Sequence, residues 1–342
     1  MSWTLVTLLA VWALIRAGGL EQGSLLTQLM TVTPYGAALA ALTALLLVRR
    51  NRPAALVAAT ACVVLAACVA PRLTAEDQPA VAGPPLRVLT INLFGRGDAR
   101  TVVDLVRTRQ VDVFTALELR PEAVERLDAA GLKELLPHRV LQAAPGSTGS
   151  GIYSRHPLTE LKGLVAPAGH NMPAATLTPP GGPVVEVVAV HPDPPLGRKE
   201  AGWKAALAAL PPATTNDTPG DAEDTPGDAE DAPGDTAGAA GDTAGAAGGE
   251  TGAADAIRVL AGDFNASLDH RAFRALLERG YVDAAAQAGK GLVPTWPASR
   301  PVPSVIAIDH VVADERVAVR RVEVADVPGT DHRGVFAELQ LP

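Results

Sequence analysis

The chain has 342 residues, room for one or two domains, and a formal net charge of -8. Eleven acidic residues and no Lys or Arg lie between 213 and 255, so the rest carries about +3, and this near-neutrality disfavours a strong nucleic-acid groove. The two cysteines, Cys62 and Cys68, share one apolar run, which excludes a disulfide framework and a cysteine-based zinc site elsewhere.

The first 70 residues hold three apolar stretches: 3–15 (continuing weakly to Leu20), 29–48 and 54–70. A bilayer core takes about 20 apolar residues, so this pattern predicts three transmembrane helices. A signal peptide is the rival reading for the first stretch, but Met-Ser-Trp lacks a basic lead. Arg49, Arg50 and Arg52 put the second loop in the cytoplasm. The expected location is therefore the cell membrane, multi-pass, with everything after about Ala70 extracytoplasmic. Residues 71–85 read as a short linker rich in Pro and Ala.

From residue 86 apolar runs alternate with helical patterns. Strands are expected at 86–91, 111–117, 184–190, 257–260, 305–312 and 334–341. Helices are expected at 99–109, 121–130, 198–210 and 269–279. Continuous apolar strands covered on both faces argue for a layered α/β domain. Its span, 86–342, is interrupted by an acidic insert at 213–255, where TPGDAED occurs twice in tandem. The insert has almost no large apolar residue and is expected to be disordered.

Polar residues stand at the ends of these strands, where a packed scaffold can aim side chains at one point. In AGDFNAS, Asp263 and Asn265 can face one site, the carboxylate for a metal or a proton and the amide for a phosphate oxygen. An Asx-turn capping the next helix is an equal reading. In TDHRG, Asp331 adjoins His332, which can act as a base on water or stabilise developing charge. Asp309 in AIDHVV can hold that imidazole in one tautomer. Glu118 ends VFTALE, and a carboxylate so placed is costly unless paired or metal-bound; it is the first-choice ligand for Mg2+. Asn92 and His191 each end a strand, where a turn role is the plain alternative. Ser154-Arg155 could offer a phosphate contact, and Thr295-Trp296-Pro297 a hydroxyl. His310 is expected to be structural. His138, His170 and His270 have no neighbours in sequence that suggest chemistry.

In order, Asn92, Glu118, Ser154-Arg155, His191, Gly262-Asp263-Phe264-Asn265, Asp309 and Asp331-His332 resemble the endonuclease/exonuclease/phosphatase superfamily, the deoxyribonuclease I-like fold. The resemblance covers 86–342 without the insert. It implies a four-layer sandwich of two β-sheets flanked by helices. It implies a metal-dependent phosphoesterase using Mg2+, with Mn2+ as the alternative. The metal would lie at Glu118 with Asn92 and Asp331 nearby; His191 and Asn265 would face phosphate, Asp309 would pair with His332, and Asp263 would handle the nucleophile or leaving group. Thr330 stands where the last motif usually has serine, and no acidic partner for His191 is visible. The N-terminal spans are similar to those of membrane-anchored members, including the VanJ-type teicoplanin-resistance proteins. That implies a lipid-linked phosphate ester such as undecaprenyl pyrophosphate as substrate and the bilayer as partner. An extracellular nuclease and an inactive membrane-binding module are the competing readings.

Overall fold

The computed structural model describes residues 2–165, 169–213, 256–298 and 303–342. Most of the acidic insert lies outside them. Four helices come first: α1 (Ser2–Gly18), α2 (Gly23–Met30), α3 (Thr33–Leu47) and α4 (Arg52–Val69). The domain follows in the order β1 (Pro85–Asn92), α5 (Ala99–Thr108), β2 (Val113–Leu117), α6 (Pro121–Ala129), α7 (Leu132–Leu135), β3 (His138–Gln142), β4 (Ser150–Ser154), β5 (Thr159–Glu160), β6 (Ala174–Leu177), β7 (Val185–Val190) and α8 (Glu200–Ala209). It ends with β8 (Ile257–Asp263), α9 (Arg271–Leu277), β9 (Tyr281–Asp283), α10 (Ala284–Gln287), β10 (Asp309–Asp314), β11 (Ala318–Asp326) and β12 (Arg333–Gln340).

The strands make two six-stranded sheets, ordered β11-β12-β1-β2-β4-β3 and β5-β6-β7-β8-β10-β9. Each has one parallel pair at its centre, β1–β2 and β7–β8, and antiparallel neighbours outside. Both sheets are therefore mixed. Val88, Val113, Val187, Val259, Val311 and Val335 meet in the layer between them. Val102, Val106 and Leu127 from α5 and α6 cover the outer face of the first sheet. Trp203 from α8 and Phe273 from α9 cover that of the second. This is the expected four-layer α/β sandwich, and β-branched residues dominate because both faces of each central strand are packed.

The topology converges on one edge. The carboxyl ends of β1 and β2 point the same way, and so do those of β7 and β8. β12 begins beside the end of β1, and β10 begins beside the end of β8, because those pairs are antiparallel. The polar ends of six strands thus share one rim. Gly262 lets two of them close up: a Cβ there would sit 1.9 Å from the Val190 carbonyl oxygen. Its role is this close approach of β8 to β7.

The N-terminal region differs in detail from the sequence expectation. The stretch 29–48 is not one helix: α2 ends at Met30, and Pro34 sits in the first turn of the 15-residue α3. At 1.5 Å per residue α3 is about 22 Å long, against about 30 Å of bilayer hydrocarbon. Among the described residues one continuous helix, Arg52–Leu73, is long and apolar enough to cross a membrane, and α1 and α2 meet at a bend of 88°. Residues 71–85 also do more than tether. Glu76 N–H donates to Gln287 O (3.0 Å), Gln78 Oε1 accepts from Val319 N–H (2.7 Å), and Gly83 N–H donates to Leu341 O (3.0 Å). The segment is pinned along the domain.

Candidate active site

Asn92 is the last residue of β1 and Asp263 the last of β8, while Asp309 is the first of β10 and stands directly opposite Asp263 in register. Glu118 and His191 come one residue after β2 and β7, and His332 one residue before β12. The Asn92 amide donates to Asp263 Oδ2 (3.1 Å) and to Glu118 Oε1 (3.3 Å). Its own oxygen accepts the Phe94 N–H at 3.0 Å. His332 Nδ1 lies 2.9 and 3.1 Å from the two Asp309 oxygens, and its Nε2 is 3.7 Å from Asp263 Oδ2 and 4.0 Å from Asp331 Oδ1. On the other side His191 Nε2 is 3.8 Å from the same Asp263 oxygen. Asp263 therefore sits between two imidazoles, and both rings and the carboxylate are buried.

Local structure explains these placements. Glu118 and Asn265 hold positive φ values of 49° and 48° without being glycine. Such strain, on the order of 1–3 kcal/mol, is kept where packing fixes it, often at functional sites. Asp263 Oδ1 accepts the Asn265 N–H at 2.9 Å, so the Asx-turn exists, but it shapes the site rather than capping α9, whose N-cap is His270. The Asn265 amide donates to Pro192 O (3.1 Å), tying this turn to the His191 loop. Trp203 Nε1 donates to Phe264 O (3.0 Å) and braces the turn from α8.

The electrostatics separate the two imidazoles. Burial opposes charge on His332, but the Asp309 and Asp263 carboxylates outweigh it and push its pKa up to about 10. Burial dominates at His191 and brings it down to about 4, with Asp263 opposing and His170 and His332 adding to the shift. At neutral pH the first ring is charged and the second is not. Burial also raises the carboxyls of Glu118 and Asp263. The Asn92 hydrogen bond opposes the rise at Glu118, and His332 opposes it at Asp263.

Two groupings could hold a cation. Donor atoms of Asp263, Asp309 and His332 lie within 4.8 Å of one another. Both Asp309 oxygens, however, are turned to His332 Nδ1. Glu118, Asn92 and Asp331 are the better fit: Asp331 Oδ1 is buried without a hydrogen-bond partner, and burial raises the Glu118 carboxyl. The Glu118 and Asp331 carboxylates offer oxygen donors of the kind that suit a hard divalent ion, while the Asn92 amide steadies Glu118 beside them.

Other sequence expectations fall outside the rim. Ser154 pairs with Val113, whereas Ser150 pairs with Leu117, so Ser154-Arg155 lies at the far end of β2 from Glu118. Arg155 instead reaches Val111 O (3.0 Å) and Asp112 (3.3 Å). His310 is structural as expected, bonded to Asp283 Oδ2 (2.8 Å) and Ala266 O (2.9 Å). Residues noted in the sequence for other reasons turn out to be supports. Thr330 Oγ1 donates to Asn92 O (2.6 Å) and accepts the His332 N–H (3.1 Å), joining β1 to the last motif. Trp296 Nε1 donates to Asp331 Oδ2 at 3.4 Å. Thr295 Oγ1 accepts the N–H groups of Ile308 and Asp309. The His170 ring packs on His191 with centroids 4.3 Å apart, and its Nε2 is 3.5 Å from Asp193.

The sequence model described as Endonuclease/Exonuclease/phosphatase family matches residues 89–332. The chain belongs to this family. It is a family of phosphoesterase and nuclease hydrolases that depend on a divalent metal. No curated protein matches the chain. Among solved structures, humanized D. rerio TDP2 superposes with a TM-score of 0.52 at 16% identity, covering 75% of this chain and 98% of that one. An endonuclease/exonuclease/phosphatase from Beutenbergia cavernae is similar at TM-score 0.49 and 18% identity, over 75% and 72% of the two chains. The 3' phosphatase NExo from Neisseria, bound to a product DNA hairpin, has TM-score 0.49 and 18% identity over 74% and 98%.

Proposed function

We propose that this family member is a membrane-anchored, extracytoplasmic phosphoesterase that hydrolyses a phosphodiester or pyrophosphate bond of a lipid-linked substrate. The observation that carries the hydrolase reading is the pair of buried imidazoles that face one oxygen of Asp263 from either side, one of them paired through its other nitrogen with Asp309. Glu118, Asp331 and Asn92 would hold the metal, Mg2+ or alternatively Mn2+. Bound there, it would supply positive charge to the phosphoryl and leaving oxygens. Asp263, with a raised carboxyl, orients the attacking water and takes its proton. His332, charged and fixed by Asp309, presents Nε2–H to a phosphoryl oxygen as negative charge develops. Of the two roles open to His332 from sequence, charge stabilisation fits a pKa of about 10 better than action as a base. His191 and Asn265 flank Asp263 on the substrate side and contact the remaining oxygens.

The lipid and topology parts of the reading rest on the apolar N-terminal helices and their basic loop. Leu8, Leu14, Leu45 and Leu56 are each more than 60% exposed on them, a surface that suits acyl chains. This arrangement favours the VanJ-like, multi-pass form over a secreted nuclease. Full-length protein assayed against undecaprenyl pyrophosphate and against plasmid DNA separates the two: release of inorganic phosphate from the lipid supports the proposal, and nicking of DNA without lipid turnover refutes its substrate class.

A further inference from the structure

The N-terminal helices do not merely precede the catalytic domain; they are bolted to it beside the site. Asp269 receives Arg16 Nε at 2.6 Å and Arg72 Nη1 and Nη2 at 2.8 and 2.6 Å, and all three side chains are buried. α2 lies on the domain through Ser24, whose Oγ donates to Pro195 O (2.9 Å) and accepts the Gly197 N–H (2.8 Å). His270 Nε2 lies 2.8 Å from Thr27 O. Where α2 turns into α3, Thr31 and Pro34 line a small cavity together with Val305, Ile306 and Ala307. The Tyr35 hydroxyl donates to Val305 O at 2.8 Å.

Segment 303–308 is thus a wall with two faces. One face touches the α2–α3 corner. The other, through Pro303 and Ser304, borders a cleft of about 890 Å³ that also contains Phe94, Ala298 and Asp331. The wall connects to the site's chemistry: Ile306 and Trp296 exchange backbone hydrogen bonds at 3.0 and 2.9 Å, and Trp296 Nε1 donates to Asp331. Among the described residues, the large exposed hydrophobics of the domain are Phe94, Leu196 and Val305. Phe94 lines the cleft, Val305 holds Tyr35, and Leu196 lies beside the α2 contact at Pro195 and Gly197. On α2 itself Leu25 is 81% exposed.

The geometry points to the α2–α3 corner and segment 303–308 as the substrate entrance, with Tyr35 and Asp269 as specificity-determining residues for a phosphoester delivered from a bilayer. This inference rests on the hydrolase reading above. The helices hold the cleft at headgroup level, so that the phosphate of a lipid enters while its chain stays against the apolar rim. Neither Tyr35 nor Asp269 touches the reacting groups, so a water-soluble ester should be indifferent to them.

The test uses the full chain in phosphatidylcholine vesicles with two substrates, bis(4-nitrophenyl) phosphate in the water and a polyprenyl diphosphate in the vesicle. Tyr35→Phe should keep kcat/KM for the soluble ester within about twofold and lower it about fivefold for the vesicle substrate, the weight of one ordinary hydrogen bond. Asp269→Asn should widen the same split to roughly tenfold or more, because it leaves two buried arginines short of a charge. Tyr35→Phe keeps the test decisive should Asp269→Asn fail to fold. Equal losses on both substrates, or no loss on either, overturn the entrance. Wild-type protein active on the soluble ester alone also overturns it and leaves the hydrolase reading standing. Wild-type protein inactive on both removes that reading and the entrance together.

Discussion

Asp309→Asn tests the charge arrangement at its most buried point. The carboxylate lies 2.9 Å from His332 Nδ1 and its side chain is 1% exposed. An asparagine fits the same space, accepts or donates one hydrogen bond, and carries no charge. His332 would then lose the charge that most favours its protonated form, leaving Asp263 at 3.7 Å as the main remaining carboxylate. Removing one preorganised charge-stabilising donor costs about 2.7–4 kcal/mol, a fall of about 10²–10³ in kcat. The loss should appear in kcat rather than KM, since the charge matters most as negative charge develops. It should also move the pH profile. In the wild type the alkaline limb is set by His332 near its raised value of about 10, whereas in the variant it falls well below. Steady-state rates with a soluble phosphodiester from pH 5 to pH 10, with metal binding measured separately, decide the matter. Unchanged kcat, an unmoved alkaline limb, or a loss wholly explained by weaker metal binding would exclude a charge-stabilising role for His332.

Glu118→Gln keeps the Asn92 contact geometry but removes a charge; calorimetric titration should show metal affinity reduced by at least about tenfold, on the scale of a lost ligand contact, with activity restored only in part by excess metal. Because Asp263 must be ionised to take a proton and burial raises its carboxyl, the acid limb of kcat/KM should lie above the ordinary carboxylate range; an acid limb near pH 4 contradicts this. Asp283→Asn breaks the buried pair with His310 (2.8 Å), and should cost about 3–5 kcal/mol in unfolding free energy while active-site titration finds normal turnover per folded molecule. Asp269 is the opposite case to Glu118, because Arg72 and Arg16 outweigh burial and hold its carboxyl below the usual range. Its contribution is complete above the unfolded value near 3.9 and disappears as pH falls through the lower folded value. Thermal melts should therefore separate wild type from Asp269→Asn at pH 7 and converge at strongly acid pH.

Much of this site was legible because its residues end apolar strands. Asn92, Glu118, His191, Asp263, Asp309 and His332 each interrupt or close a run whose neighbours must be buried, and a layered α/β fold brings such ends to one rim. The six expected strands and four expected helices of the domain all exist, with shifts at their ends. The clearest is at 305–308, where the expected strand is a loop held by Trp296 and Tyr35. Strands β3, β4, β5, β6, β9 and β11 were not visible: several are short, and the edge strands alternate less clearly than the central ones. Ser154-Arg155 was misplaced because an antiparallel strand reverses which end faces the site. The supports that sequence could not supply are long-range. Thr330 to Asn92 spans 238 positions and Asp269 to Arg16 spans 253, and no local pattern encodes either contact. The contacts that pin the linker 71–85 were hidden for the same reason, since its partners lie near 287, 319 and 341.

The most direct measurement is hydrolysis of bis(4-nitrophenyl) phosphate by full-length protein stripped with EDTA, then supplied with Mg2+ or Mn2+, beside the Asp263→Ala variant. Activity should return with the metal in the wild type and fall by at least about 10² in the variant, the usual effect of losing a proton-handling group. Metal-independent hydrolysis, or a variant as active as the wild type, would contradict this.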